Sequence, residues 1–244
     1  ISSRAELSVE KVKEIGDEIL LNQDLRRVYG DLRGEVHNQG HLFVRTGARL
    51  LAASPKSQVR GFLRRGQRPS HLYVDDGENS EHVLTQLQRQ KFYNWVMQDL
   101  LNVLAPGGGV TVVGTLLHPQ AFLSRLVSSD PQRHIPGFRR TVYRSVLRWN
   151  EAFALWQQWH ALYTNPLSPD FEGDARAFFA DHETDMLAGA EVLWPEREDY
   201  YALMVQRCIM GDAAFFAEKQ NDPTQSGVYL FDLDLAGFCP WELD

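Results

Sequence analysis

Cysteine is scarce in this chain, with two copies among 244 residues. Cys208 and Cys239 make neither a Cys-x-x-Cys pair nor a disulfide framework, which fits a reducing compartment. Neither has a nearby His that would suggest a nucleophile, and no Gly-x-Ser-x-Gly elbow occurs. No apolar run approaches the roughly 18 residues of a membrane span and no signal peptide opens the chain, so a soluble intracellular protein with no membrane partner is expected. Internal repeats and low-complexity segments are absent too. Positive charge is also in short supply. With Lys+Arg 25 against Asp+Glu 32, the formal net charge is −7 and the pI near 5.6. Bulk charge therefore cannot hold nucleic acid, and any such contact must use a local patch. Arg60, Arg64, Arg65 and Arg68 form one candidate group, and Arg133, Arg139, Arg140, Arg144 and Arg148 another; a solvated face is the alternative for each.

What is present is ordinary globular material: 43% hydrophobic and 23% charged residues. The length suits one α/β domain with a smaller appendage. The opening ISSRAELS lacks Met and reads as the tail of a strand running into a helix, as expected of a processed, truncated or trimmed chain. Residues 8–28 carry Val12, Ile15, Ile19, Leu21 and Leu25 near a 3.6-residue period, which predicts an amphipathic helix capped by Ser8. HLFVRTGARLLAAS (41–54) predicts a hairpin around Thr46-Gly47. A basic loop, RGFLRRGQRPS, leads into the strand HLYV. From Ser80 to about Leu104 there is no Gly or Pro, and Val83, Leu87, Trp95 and Leu100 predict a helix about 37 Å long.

PGGG (106–109) ends that helix and releases VTVVGT, an apolar strand of the kind found in parallel sheets covered on both faces. HPQAFLSRLVSS restarts a helix, and FRRTVYRSVL (138–147) predicts a further, exposed strand. The alternation implies βαβ units with right-handed crossovers. After about residue 150 the segments NEAFALWQQWHALY, GDARAFFADHETDMLAGAE and EREDYYALMVQRCIMGDAAFFAEKQ all predict helices, with Trp149, Phe153, Trp156 and Trp159 as their core. His37 and His41 are four apart, but a hairpin context spoils a helical metal pair.

The segment HLYVDDGENSEHV (71–83) carries the chemistry. Asp75, Asp76 and Glu78 crowd the end of an apolar strand, where each must keep water, find a cation or take up a proton. In nucleoside triphosphatases built on a parallel sheet, an acid at a strand's carboxyl end orients Mg²⁺, while a neighbouring carboxylate prepares the attacking water. Asp75 ends the strand and suits the metal; Asp76 or Glu78 suits the base. The alternative is a polar turn with Asn79 or Ser80 capping the next helix. VTVVGT also runs into a polar element, Gly114-Thr115, and a hydroxyl there could donate to a reacting phosphate or simply cap the following helix.

Taken in order, QVRGFLRRGQRPSHLYVDDGEN, QRQKFYNWV, VTVVGTLLH and FFAEKQNDP resemble the large terminase subunit of tailed bacteriophages, the ATP-driven motor that packages DNA into a procapsid. The resemblance implies a P-loop NTPase-like sheet of the RecA/ASCE type with flanking helices over 1–149, and a helical lid subdomain over 150–244 leading toward a nuclease domain. By the same resemblance Asp75 is the Walker B acid, Asp76 or Glu78 the catalytic carboxylate, and Gly114 and Thr115 the motif coupling hydrolysis to movement. Arg60, with Arg64 or Arg65 as substitutes, would be an arginine finger acting on a neighbouring subunit. The implied cofactors are ATP and Mg²⁺. The implied partners are double-stranded DNA, the portal protein, the small terminase subunit and further copies in a ring, in the host cell cytoplasm.

Departures are equally plain. No G-x-x-x-x-G-K-[ST] loop occurs, and PGGG lacks the Lys and precedes a strand. The phosphate loop is therefore expected upstream of Ile1, and isolated ATP binding is expected to be poor. Asp232 and Asp234 in LFDLDL read as a solvated segment rather than a second acidic metal site. Two other classes compete: a catalytically silent scaffold binding portal or small terminase, and a divalent-metal nuclease using Asp75, Asp76 and Glu78.

Overall fold

The computed structural model describes residues 1–38, 40–55, 57, 59 and 66–225. It is a mixed helix and sheet chain that divides into two compact units between Phe138 and Arg139, upstream of the boundary expected at 149. Among the described residues no helix is long and apolar enough to cross a membrane.

The first unit opens with helices α1 (Ala5–Leu21) and α2 (Gln23–Tyr29). One helix was expected, capped by Ser8. Instead Asn22 takes an extended conformation and its side chain accepts from the N–H groups of Asp24 and Leu25 at 2.9 and 3.1 Å, ending one helix and capping the next. Ser8 lies inside α1, buried, where its hydroxyl accepts from the Ser2 N–H (2.7 Å) and donates to the Ala53 carbonyl. The expected hairpin is present: β2 (His41–Val44) pairs antiparallel with β3 (Arg49–Leu51), and β1 (Arg33–Asn38) adds a third strand. His37 and His41 thus lie on neighbouring strands, not on one helix face.

Strands β4 (His71–Asp75) and β5 (Gly109–Val113) form one parallel pair, from His71↔Gly109 to Asp75↔Val113. Ile1 runs alongside β4. Its amine donates to the Tyr73 carbonyl (2.8 Å) and its carbonyl accepts from the Asp75 N–H (2.8 Å), so the opening residues behave as a strand's tail before α1. The long helix expected between the strands is segmented into α3 (Ser80–Val83), α4 (Gln86–Asn94), one π-helical turn (Trp95–Leu100) and one 3-10 turn (Leu101–Val103). Thr85 makes the break, because its hydroxyl and the Gln88 side chain form a reciprocal capping box.

Phe92, Val96, Leu100 and Val103 supply the buried stripe. Leu87, expected in it, is 65% exposed. Leu72 and Val74 meet this stripe together with Phe122 and Leu126 of α5 (Phe122–Val127). The other face of the pair stays open: Tyr73 is 57% and Val113 59% exposed. The expectation of a strand covered on both faces is corrected accordingly.

In the second unit the strand expected over 138–147 is confined to β6 (Val146–Arg148), which pairs antiparallel with β7 (Glu191–Val192). Residues 139–144 are exposed and regular structure begins where Val146 becomes buried. Among the described residues four α-helices follow the helical expectation: α6 (Phe153–Tyr163), α7 (Phe171–Leu187), α8 (Tyr200–Met210) and α9 (Asp212–Gln220). The last two were read as one; Gly211, at φ 77°, turns the chain between them. Trp156, Trp159, Met186, Leu203 and Phe215 form the core. Phe153, expected with them, is 68% exposed.

Candidate functional site

Parallel pairing brings the ends of β4 and β5 side by side, so their carboxyl-terminal residues face a common βα-loop region. The Asp76 N–H donates to the Val113 carbonyl at 3.0 Å, extending the ladder by one bond. Gly114 lies against Asp76; a Cβ there would stand 3.3 Å from Asp76 Oδ1 and 3.7 Å from its Cα. Thr115 follows, partly buried. Asp75, Asp76, Gly114 and Thr115 are therefore gathered at one end of the pair.

Asp76 adopts φ 48°, a left-handed conformation uncommon for a residue with a side chain. The next residue, Gly77, has no room for a side chain: a Cβ there would meet Val74 Cγ1 at 2.5 Å. Asp76 turns out of the strand direction and its side chain is exposed. Asp75 is ion-paired with Lys11 of α1, the two side chains being 46% and 37% exposed.

Glu78 plays another part. Its two carboxylate oxygens accept from the N–H groups of Phe122 (2.9 Å) and Leu123 (2.8 Å), at the start of α5. Burial pushes this carboxyl up from its ordinary value, and the two hydrogen bonds oppose that shift. Glu78 thereby fixes the helix that follows the Gly114-Thr115 loop, and both oxygens are engaged.

The remainder of that loop is held by His118 and Arg89. The His118 ring accepts from the Gln120 N–H (3.0 Å) and its carbonyl accepts from the Ser124 hydroxyl (2.7 Å). Burial, and then the Arg89 charge, push the imidazole down, which suits a neutral acceptor. Arg89 donates to the Val83 carbonyl (2.6 Å) and to Gln120 (3.2 Å).

Asp75 also edges an open cavity of about 1330 Å³ between α1, the β2–β3 hairpin and the exposed face of β4–β5, lined by Lys11, Ile15, Phe43, Tyr73 and Val113 among others. No known protein-family model matches the chain, and no curated protein matches it.

Among the described residues no group of three or more His, Cys, Asp or Glu side chains converges on a metal position. Asp75 is paired with Lys11 and Asp76 leaves the strand in a left-handed turn, so the two carboxylates diverge. Mg²⁺ is usually held by one or two carboxylates together with waters and substrate phosphates, and these residues alone would hold it weakly.

Arg60, Arg64 and Arg65 lie outside the described residues, as do Asp232, Asp234 and Cys239. In the second basic group Arg133 pairs with Asp130 (3.4 Å) and Arg148 with Glu191 (2.7 Å). Two contributors escaped the sequence reading. Lys11 sat within an amphipathic pattern that says nothing of distant partners. The capping role of Glu78 reaches across 44 residues and leaves no local signal.

Proposed function

We propose that this chain supplies the metal- and water-handling part of a nucleoside triphosphatase, of the kind that drives DNA packaging in large terminase subunits. The observation that carries this reading is the register of β4 and β5, which sets Asp75–Asp76 beside Gly114–Thr115 at adjoining strand ends. Asp75 would hold Mg²⁺, and Mg²⁺ when bound neutralises phosphate charge in phosphoryl transfer. Asp76, exposed and beside Gly114, would accept the proton of the attacking water. Thr115 would donate its hydroxyl toward a phosphate oxygen. Glu78 is the weaker base, since its oxygens are committed to α5. An arginine finger drawn from Arg60, Arg64 or Arg65, and contacts with double-stranded DNA, a portal, a small terminase subunit and further copies in a ring, extend the same proposal.

The Lys-bearing phosphate loop is missing from these residues, so affinity for ATP alone should be low. The test is an NMR titration of the ¹⁵N-labelled chain with Mg²⁺ and ATP together. Shifts should appear at the amides of Asp76, Gly114 and Thr115, and vanish in Asp75→Asn. No change there at millimolar Mg²⁺ and ATP would reject the site. A nuclease would need Glu78 released to join Asp75 and Asp76, and Mg²⁺- or Mn²⁺-dependent nicking of plasmid by the chain would favour it.

A further inference from the structure

We propose that the outer edge of β5 is a strand-addition site, filled by a second copy of the chain whose own β5 pairs with it antiparallel about a two-fold axis at Thr111. The site does not depend on nucleotide binding.

The bonding of β5 leaves one side of it open. The Gly109 N–H donates to the Ser70 carbonyl (3.0 Å), and the Val113 carbonyl accepts from the Asp76 N–H (3.0 Å). In a parallel ladder the residues that bond to one neighbour alternate along the strand, so Gly109, Thr111 and Val113 spend their backbone groups on β4. Those of Val110 and Val112 point the other way, and among the described residues no strand lies beyond them. Both residues are half-buried and pack on the core of the first unit. Backbone groups left without partners in such surroundings are costly. β4, by contrast, is paired on both sides, since Ile1 takes its other edge through the Tyr73 carbonyl and the Asp75 N–H.

The edge itself carries no guard against pairing. Natural sheets protect an open edge with charged side chains, Pro or a bulge. Here β4 and β5 pair in unbroken register, and residues 107–117 contain no charge and no Pro. Such an edge offers no counter-charge to an acidic or basic strand, whereas an identical strand matches it in character and in hydrogen bonding. Within Gly109–Val113 one antiparallel register uses all four outward groups. Val110 then faces Val112 of the partner subunit and Val112 faces the partner's Val110, each pair exchanging two bonds, with Thr111 opposite its own mate. Centring on Val110 instead would set Val112 against Gly108, whose N–H is already given to the Ala105 carbonyl (2.9 Å). Centring on Val112 runs past the end of the strand. Thr111 and Val113 are exposed on the open face beside Tyr73. Pairing therefore turns a two-stranded sheet, marginal by itself, into a four-stranded one. The contact spans only about 17 Å of strand and belongs with weak interfaces below about 1,200 Å².

Sedimentation equilibrium of the 244-residue chain, with a thermal melt of every variant to check folding, tests the dimer. Wild type should be half dimeric at about 0.1 mM, as expected of so small a contact. Val112→Pro removes an outward N–H that β4 does not use, and Thr111→Lys sets two like charges opposite each other; each should raise that midpoint at least about tenfold. In chains also carrying Cys208→Ser and Cys239→Ser, Thr111→Cys should form a disulfide-linked dimer under oxidised glutathione, because such antiparallel partners stand about 4.5 Å apart at Cα. Val113→Cys, which would face Gly109, should not. A chain still monomeric at about 1 mM, with Thr111→Cys uncross-linked, would overturn the proposal and leave the edge to a strand of another protein. Dimerisation unchanged by both Val112→Pro and Thr111→Lys would overturn it as well, by placing the contact elsewhere.

Discussion

The three acidic residues of DDGE have different fates although they lie within four positions. Asp75 continues the strand and meets Lys11; Asp76 enters a left-handed turn and points to solvent; Glu78 is drawn inward to the N–H groups of α5. Crowded charge is thus resolved by divergence, not by one shared cation. Glu78 yields a prediction with a definite sign. Its carboxyl is raised by burial, so the native state binds its proton more tightly than the unfolded chain does. Its contribution is fully present below the unfolded carboxylate value and is lost as pH rises through the raised one. Glu78→Gln cannot titrate, so its stability relative to wild type should rise as pH is taken from the ordinary carboxylate range toward neutrality. Glu78→Ala cannot titrate either; it should lose about 1–2 kcal/mol in the ordinary carboxylate range, because both α5 donors lose their acceptor, and that deficit should shrink as pH rises toward neutrality. Urea denaturation across pH, with exchange rates at Phe122 and Leu123, measures both.

At the scale of elements, the sequence pattern located helices and strands well and misjudged their ends. Three predicted continuous helices were each interrupted by a residue whose own hydrogen bonding or backbone freedom competes with the helix. Asn22 and Thr85 offer side-chain oxygens to following N–H groups, and Gly211 adopts a positive φ. Such residues are tolerated inside a helix or used as caps, and local periodicity alone does not decide which. Replacing Asn22 with Ala should cost about 1 kcal/mol and speed amide exchange in α2, where two N–H groups lose their acceptor. Unaltered exchange at Asp24 and Leu25 would mean that the cap contributes nothing. The β4–β5 pair shows the same limit. Both strands were legible as apolar runs, yet Tyr73 and Val113 remain exposed because no element among the described residues covers that face closely.

For the molecule as a whole, each unit has a core of its own. Leu100, Phe92 and Phe122 anchor the first; Trp159, Leu203 and Phe215 anchor the second. Leu203 is fully buried, so Leu203→Ala should destabilise the second unit by about 2–5 kcal/mol. Leu87→Ala, at a position the periodicity had assigned to a core, should stay within about 0.5 kcal/mol of wild type. Hydrogen exchange in α6–α9 for the first variant and α4 for the second distinguishes the two. A large loss in Leu87→Ala would restore the uninterrupted helix.

The sequence by itself determined the elements: an apolar strand ending in acids, a second ending in Gly-Thr, a hairpin at Thr46-Gly47, and a helical region after the exposed basic stretch. These follow from periodicity, turn residues and charge, all read within about ten residues of chain. The same local logic suggested carboxylates working together. Only the tertiary structure decided their partners, because the Lys11–Asp75 pair closes over 64 residues and the Glu78 bonds over 44 and 45. Contacts at such separation depend on how strands register and where helices are pinned, and the sequence around any one of those residues does not encode that closure.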